Sequence, residues 1–181
     1  MKGQDIVLLL KLISFEQSSM DEGETNPGIT VRGLELYTGI SKSEVNSALH
    51  RCLRSGLAAP QPRQRNLSVN RQALLDFIRY GLPYVFPVKP AELTRGIPTA
   101  FAAPVLNKKL FSAGATIPVW PEPTATTMGQ AIAPLYRSVP HAIKEDDRLY
   151  AYLALVDAIR LGNAREKNTA LAELKSAIKP T

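Results

Sequence analysis

The sequence contains one cysteine, Cys52, and only two histidines, His50 and His141. A single thiol cannot form an internal disulfide, and neither histidine has a second His or Cys at the spacing of a metal site. We therefore expect a reducing compartment, no bound metal and no cofactor. His50 as a metal ligand or proton donor remains an alternative to a surface role.

Long apolar segments are also missing. The longest, Ile6 to Ile13, is short and contains Lys11, whereas a helix needs about 20 apolar residues to cross a bilayer. The N-terminus lacks the charged, apolar and small-residue parts of a secretory signal. We therefore expect a cytoplasmic protein with no membrane partner. The chain has 45% hydrophobic and 21% charged residues, a composition typical of folded proteins.

Catalytic motifs are absent from the sequence. It has no Gly-rich phosphate loop, no Ser-His-Asp or Cys-His pair at a recognisable spacing, and no carboxylates clustered on an apolar helix. We expect that the protein is not an enzyme. An anion site at Arg95-Gly96 and a pocket lined by Trp120 remain alternatives to ordinary packing around prolines.

Positive charge is concentrated in one third of the chain. Between Thr30 and Lys89 there are nine basic and three acidic residues, which accounts for the whole formal net charge of +6. The remainder carries equal numbers of basic and acidic residues. Such a concentration is typical of a surface that binds a polyanion.

The N-terminal segment has helical periodicity. Ile6, Leu9, Leu10 and Ile13 predict an amphipathic helix over Gln4–Phe15, with Lys11 in solvent. The polar stretch Glu16–Gly28 contains a turn signal at residues 26–28 and predicts a loop.

Two short helices around a glycine turn are predicted next. Thr30 is a cap for the first, Gly39 supplies the positive φ that ends it, and Ser41 with Glu44 forms a capping box for the second. The apolar face of the second helix is formed by Val45, Leu49, Cys52 and Leu53. On this buried face Cys52 reads as an inert core thiol, with a redox sensor as the alternative.

A hairpin and a further helix follow. Gly56 ends the second helix, and residues 57–59 and 67–69 form a small β-hairpin with its tip at Pro60 to Asn66. Asn70 caps a helix that runs to Gly81.

The rest of the chain divides into two parts. Pro83 to Pro140 holds ten of the 14 prolines together with several aromatic residues, which predicts an ordered coil with short helices. The last part predicts a helical hairpin. Its first helix runs from an Asp146 or Asp147 cap to Gly162, and its second begins at an Asn163 cap with Glu166 as its capping-box partner.

The run from Thr30 to Leu57 resembles bacterial winged helix-turn-helix regulators of the MarR-like kind in its helix, glycine turn, second helix and Gly-Leu entry to a hairpin. It departs from them at Gly33 to Leu36, where those families usually place a Leu-Ala pair. Residues 94–104, 119–121 and 134–136, together with the helix from Leu149 to Arg160, resemble a family of small bacterial proteins that pair a winged helix with a Pro-rich and helical extension. That resemblance does not indicate which activity the extension has.

These observations predict a mainly α fold with a small β-hairpin wing (α+β). Residues 1–82 would form a winged helix-turn-helix domain that binds DNA. Residues 83–181 would form a Pro-rich ordered extension and a C-terminal helical hairpin for dimerisation or partner contact, with the first helix as the next choice for the dimer contact.

The polar face of the second helix is the expected site for double-stranded DNA. Ser43, Asn46 and Ser47 would lie near base edges, while Lys42, Arg51 and Arg54 would hold phosphates. The wing tip would reach the backbone or the minor groove. The full set of candidate DNA-binding residues is Arg32, Ser41, Lys42, Ser43, Asn46, Ser47, His50, Arg51, Arg54, Arg63, Gln64 and Arg65.

The expected function is transcriptional regulation by a homodimer, a repressor, on an inverted repeat. One alternative is an antitoxin-like or adaptor module whose extension binds a protein partner and whose winged helix is secondary. Another is that the charged face is an ordinary solvated surface.

Overall fold

The structure is a computed structural model, and it describes residues 1–22, 30–60, 67–110 and 116–179. Helices predominate in these residues, and the sheets are small. The helices are α1 (Gly3–Glu22), α2 (Val31–Thr38), α3 (Lys42–Arg54), α4 (Arg71–Asp76), α5 (Leu82–Val85), α6 (Val139–Ala142), α7 (Asp147–Leu161) and α8 (Ala164–Ala177). The strands are β1 (Ala58–Pro60), β2 (Leu67–Val69), β3 (Leu93–Pro98), β4 (Pro118–Pro121) and β5 (Thr127–Ala131).

Two helices form the centre of the fold. In α1 every residue from 3 to 15 is buried, and in α7 every residue from 152 to 159 is buried. Both helices contribute to one continuous hydrophobic cluster that also includes residues of α3, α4 and α8. Because residues 152–159 of α7 are enclosed by the same chain, a second copy could reach α7 only at its two ends. Among the residues described, no helix is long and apolar enough to span a membrane.

The predicted solvation of Lys11 is wrong. Its ammonium pairs with the carboxylate of Asp146 at 2.8 Å, and both side chains are almost fully buried. Ser14 Oγ donates to the same carboxylate at 2.8 Å, and the Lys11 Nζ lies 4.4 Å from the centroid of the Phe15 ring. A long lysine stem with a buried partner is compatible with the core, and the pattern of apolar residues alone did not reveal that partner.

The first helix is also longer than predicted. It continues to Glu22, so the predicted loop is wrong for residues 16–22, while residues 23–29 lie outside the described part of the chain. Tertiary contacts explain the extension. Arg71 pairs with Glu16 at 2.6 Å, and Gln17 Nε2 donates to the Ala177 carbonyl at 2.8 Å.

The helix after the hairpin begins as predicted but ends later. Asn70 accepts a hydrogen bond from the Ala73 amide, as a cap should. Beyond α4 the chain makes a π-helical turn over Phe77–Gly81 and continues as α5 to Val85. The glycine therefore lies inside a helical run, with Pro83 in the first turn of α5, where a missing amide hydrogen costs little.

The Pro-rich region contains the predicted short helices, namely α5, a 3-10 turn over Ala100–Ala102 and α6. It also contains three strands where coil was predicted, so that part of the prediction is wrong. Each of β3, β4 and β5 pairs with both others; β3 is antiparallel to β4 and to β5, and β4 is parallel to β5. Glycine permits this close packing, because a Cβ at Gly96 would collide with the carbonyl oxygen of Trp120. Pro98, Pro118 and Pro121 lie at strand ends, where a missing backbone donor is tolerated.

A buried polar network joins this small barrel to α7. Asp157 accepts hydrogen bonds from Trp120 Nε1 at 2.6 Å and from Thr99 Oγ1 at 3.1 Å, and it pairs with Arg160 at 2.6 Å. Burial raises the pKa of Asp157, while the Arg160 charge and the two hydrogen bonds act in the opposite direction. Trp120 is thus held in the core rather than lining an open pocket, whereas Arg95 is exposed on β3.

The C-terminal helical hairpin is confirmed. Asp146 caps α7 by accepting from the Leu149 amide, and Asn163 with Glu166 forms a complete capping box at the start of α8. The two helices pack against each other.

Candidate nucleic-acid interface

The turn between α2 and α3 is built as the sequence predicts. The Thr30 side chain accepts from the Gly33 amide at 2.9 Å, which caps α2. Gly39 has φ of 65°, and its amide donates to the Glu35 carbonyl at 2.9 Å. A non-glycine residue would be strained in this left-handed conformation, so the sharp turn into α3 depends on Gly39.

The predicted capping box of α3 is wrong. In the described structure the Ser41 side chain makes no cap hydrogen bond. Instead the Lys42 amide donates a hydrogen bond of 2.9 Å to the side chain of Glu35, which lies seven residues before Lys42. Glu44 accepts from Gln4 Nε2 and pairs with Lys2, and these two contacts lower the pKa of Glu44 below its usual range. The N-terminal residues of the chain therefore contact the start of α3.

One face of α3 is anchored and the other is open. Val45, Ala48 and Cys52 are fully buried against α1 and α2. The opposite face has no acidic residue, because Glu44, the one carboxylate of this helix, is turned toward α1. The predicted contact residues that are exposed on α2, on the turn and on α3 are Arg32, Ser41, Lys42, Ser43, Asn46, Ser47, His50 and Arg54.

Arg51 does not lie on the open face, and its predicted place there is wrong. Its guanidinium makes hydrogen bonds of 2.7, 2.9 and 3.2 Å to the carboxylate of Asp5, which is fully buried in α1. The side chain of Arg51 retains 27% of its exposure. These hydrogen bonds raise the pKa of Arg51 above its usual value. Arg51 therefore fastens α3 to α1 and is not available to hold a phosphate.

The hairpin after α3 is confirmed at its strands. Gly56 has φ of 73°, and β1 pairs antiparallel with β2 in the register of Ala58 with Val69. Leu57 and Val69 are buried, which seats the hairpin on the core beside α3. The predicted contact residues at the tip, Arg63, Gln64 and Arg65, lie outside the described part of the chain.

Sequence reasoning missed the residues that orient α3. Asp5 is 46 positions from Arg51 and Glu35 is seven from Lys42, and neither spacing belongs to a local capping or helix-pair pattern. The one available signal was an acidic residue, Asp5, next to the apolar run of α1.

The described residues do not form a metal centre. Within residues 1–22, 30–60, 67–110 and 116–179, no three His, Cys, Asp or Glu side chains converge. His50 is exposed on α3, and His141 is exposed beside α2, where its Nε2 lies 3.0 Å from the Leu36 carbonyl.

Cys52 is expected to be chemically inert in the folded protein. It is fully buried, and burial, followed by the Asp5 charge, raises the pKa of its thiol to about 12. Since the thiolate is the reactive species, a disulfide reagent at about pH 8 should label the thiol only after unfolding in urea. Ser55→Cys, at an exposed position of the same helix end, is the matched control and should react in the folded state. Labelling of native Cys52 at the rate of that control would contradict the prediction.

Comparison with known proteins adds no identification, because no family model, no curated protein and no solved structure matches the chain.

Proposed function

We propose that the chain is a winged helix-turn-helix protein that binds double-stranded DNA sequence-specifically and regulates transcription as a homodimer, in the cytoplasm. The observation that carries this proposal is the asymmetry of α3. Its apolar side is anchored in the core, while its other side presents polar and cationic groups to solvent directly after a tight glycine turn. A helix held in this way is the element that such proteins insert into the major groove.

The order of the exposed groups along α3 supports base reading by its N-terminal half. Ser43, Asn46 and Ser47 are short hydrogen-bonding side chains in the first two turns. An Asn side chain can pair with adenine through two hydrogen bonds, and Ser can donate or accept at either kind of base pair. The N-terminus of a helix also carries partial positive charge, which suits the approach to a polyanion.

The exposed cations supply contacts that do not depend on sequence. Lys42 lies at the beginning of α3, Arg54 at its end and Arg32 on α2. Cations on both sides of the base-reading residues fit the two phosphate backbones that border a major groove. Arg51 is not part of this set, because Asp5 holds it.

Homodimerisation is part of the proposal for a reason of contact area. One small domain of this kind contacts few base pairs, whereas two copies related by a two-fold axis double the contacts and fix two half-sites about 34 Å apart. A dimer that covers an inverted repeat blocks other proteins from that DNA, and we therefore propose a repressor.

Selection of bound duplexes from a random pool tests this function directly. At two salt concentrations, we expect an enriched inverted repeat whose half-sites are about one helical turn apart. Asn46→Ala should relax the preference at the base that Asn46 reads by about 1–3 kcal/mol. Asn168→Ala, an exposed Asn on α8, is the matched control and should leave the preference unchanged. Failure to enrich any sequence would refute specific DNA binding.

A second candidate is an antitoxin-like or adaptor module that binds a protein. The observation that favours it is an apolar surface on the helical run from α4 to α5, where Tyr80 is 62% exposed, Tyr84 83% and Val85 50%. Aromatic side chains are enriched in protein interfaces. Absent or salt-insensitive DNA binding, combined with a stoichiometric complex of this chain and a defined protein, would select this function over the first.

A further inference from the structure

A short segment of the Pro-rich extension is fixed against the turn that precedes α3. Ser138 Oγ donates to the Thr38 carbonyl at 2.5 Å, and the His141 Nε2 lies 3.0 Å from the Leu36 carbonyl. A Cβ built on Gly39 would come within 3.1 Å of both Ser138 and His141. These contacts place α6 and the residues before it at the C-terminal end of α2. Gly39, which they touch, is three positions before Lys42, the first residue of α3.

These contacts also change the electrostatics of the turn. The carbonyl groups of Leu36 and Thr38 lie at the C-terminus of α2, which carries the negative end of the helix dipole. A carbonyl oxygen only accepts, so Nε2 of His141 and Oγ of Ser138 both act as donors there. The two donors reduce the negative potential that α2 would otherwise direct at an approaching phosphate.

Arg137 adds a cation at the same place. It is exposed, it directly precedes Ser138, and within the ranges that the structure covers it makes no ion pair. Its guanidinium lies 6.0 Å from the centroid of the Tyr136 ring, and no hydrogen bond joins it to any residue that the structure describes. An unpaired arginine beside the entrance to a nucleic-acid-reading helix is suited to two parallel hydrogen bonds to one phosphate.

We propose that residues 137–141 form a second part of the DNA interface, in which Arg137 binds the phosphate backbone beside the groove that α3 enters. Ser138 and His141 are positioning residues, because they fasten this segment to α2. The proposal rests on the proposed function and adds to it a contact from the extension. It follows that the extension takes part in DNA binding rather than serving only as a scaffold.

The test compares binding of the full chain and its variants to two labelled duplexes, the selected inverted repeat and a scrambled sequence, over a salt series. Loss of one phosphate contact lowers the slope of log affinity against log salt by about 0.9. For Arg137→Ala the affinity lost between about 50 and 200 mM salt should therefore be roughly threefold smaller than for the unaltered chain. Both duplexes should be affected equally, because a phosphate contact carries no sequence information.

Two further variants make the result specific. Lys144→Ala is the matched control, because Lys144 is an exposed cation three residues beyond His141 and lies outside the segment 137–141. Its slope should equal that of the unaltered chain, and Arg137→Lys should retain most of the slope that Arg137→Ala loses. Equal slopes for Arg137→Ala and the unaltered chain would overturn this inference alone. Absence of salt-dependent binding by the unaltered chain would overturn the proposed function together with it.

Discussion

Replacing Asp157 with alanine is expected to lower the free energy of unfolding by about 3–5 kcal/mol, which is the usual cost of removing one partner from a buried ion pair. The variant leaves the guanidinium of Arg160, only 4% exposed, without its carboxylate. It also leaves the indole N–H of Trp120 and the hydroxyl of Thr99 without their acceptor. Each unsatisfied buried donor carries its own desolvation penalty.

Urea unfolding followed by circular dichroism measures this effect. Glu145→Ala removes an exposed carboxylate from the turn just before α7 and should change stability by no more than about 0.5 kcal/mol. Asp157→Asn keeps the size of the side chain and one acceptor, so its effect should lie between those of the other two variants. A loss below about 1 kcal/mol for Asp157→Ala would mean that the network does not hold the barrel to α7.

Local signals predicted local structure well in this chain. Thr30, Asn70, Asp146 and Asn163 all cap the helices assigned to them, and Gly39 adopts the expected positive φ. Each of these features is decided within four residues of sequence, where backbone donors and a short polar side chain meet. The helical spacing of apolar residues likewise predicted which positions of α3 are buried and which are exposed, and the exposed ones define the candidate interface.

Non-local contacts were the part that the sequence did not reveal. The partners of Lys11 and Arg51 are 135 and 46 residues away, so each cation looked like an ordinary surface residue. Glu44 likewise fits a local capping box, but Gln4 and Lys2 compete for its carboxylate. In each case a tertiary contact stabilised a charge more than the local arrangement could.

The missed strands have a different cause. β3, β4 and β5 are four to six residues long; β3 ends at Pro98, and β4 begins at Pro118 and ends at Pro121. Proline lowers the strand signal of a segment, and short strands give little periodicity to compensate. The decisive features were Gly96 and Gly129, because their lack of a Cβ allows two backbones to approach closely. Isolated glycines in a Pro-rich stretch do not distinguish such an approach from a turn.

Arg51→Ala and Arg54→Ala are expected to separate the anchoring of α3 from its proposed contact with DNA. Without Arg51 the fully buried Asp5 carboxylate loses three hydrogen bonds from the guanidinium and keeps one from the Lys2 amide. The free energy of unfolding should fall by about 3 kcal/mol, the lower end for a buried pair, because Arg51 is 27% exposed. The salt dependence of DNA binding by the folded protein should stay unchanged.

Arg54→Ala should have the opposite result. Arg54 is exposed in the last turn of the same helix, so its loss should cost no more than about 1 kcal/mol, the size of a favourable interaction between a cation and a helix C-terminus. The slope of log affinity against log salt should fall by about 0.9. Arg51→Lys, which keeps the charge but not the two-pronged geometry, should recover part of the lost stability. If Arg51→Ala lowered the slope and left stability intact, Arg51 would be a phosphate ligand and its pairing with Asp5 would not anchor α3.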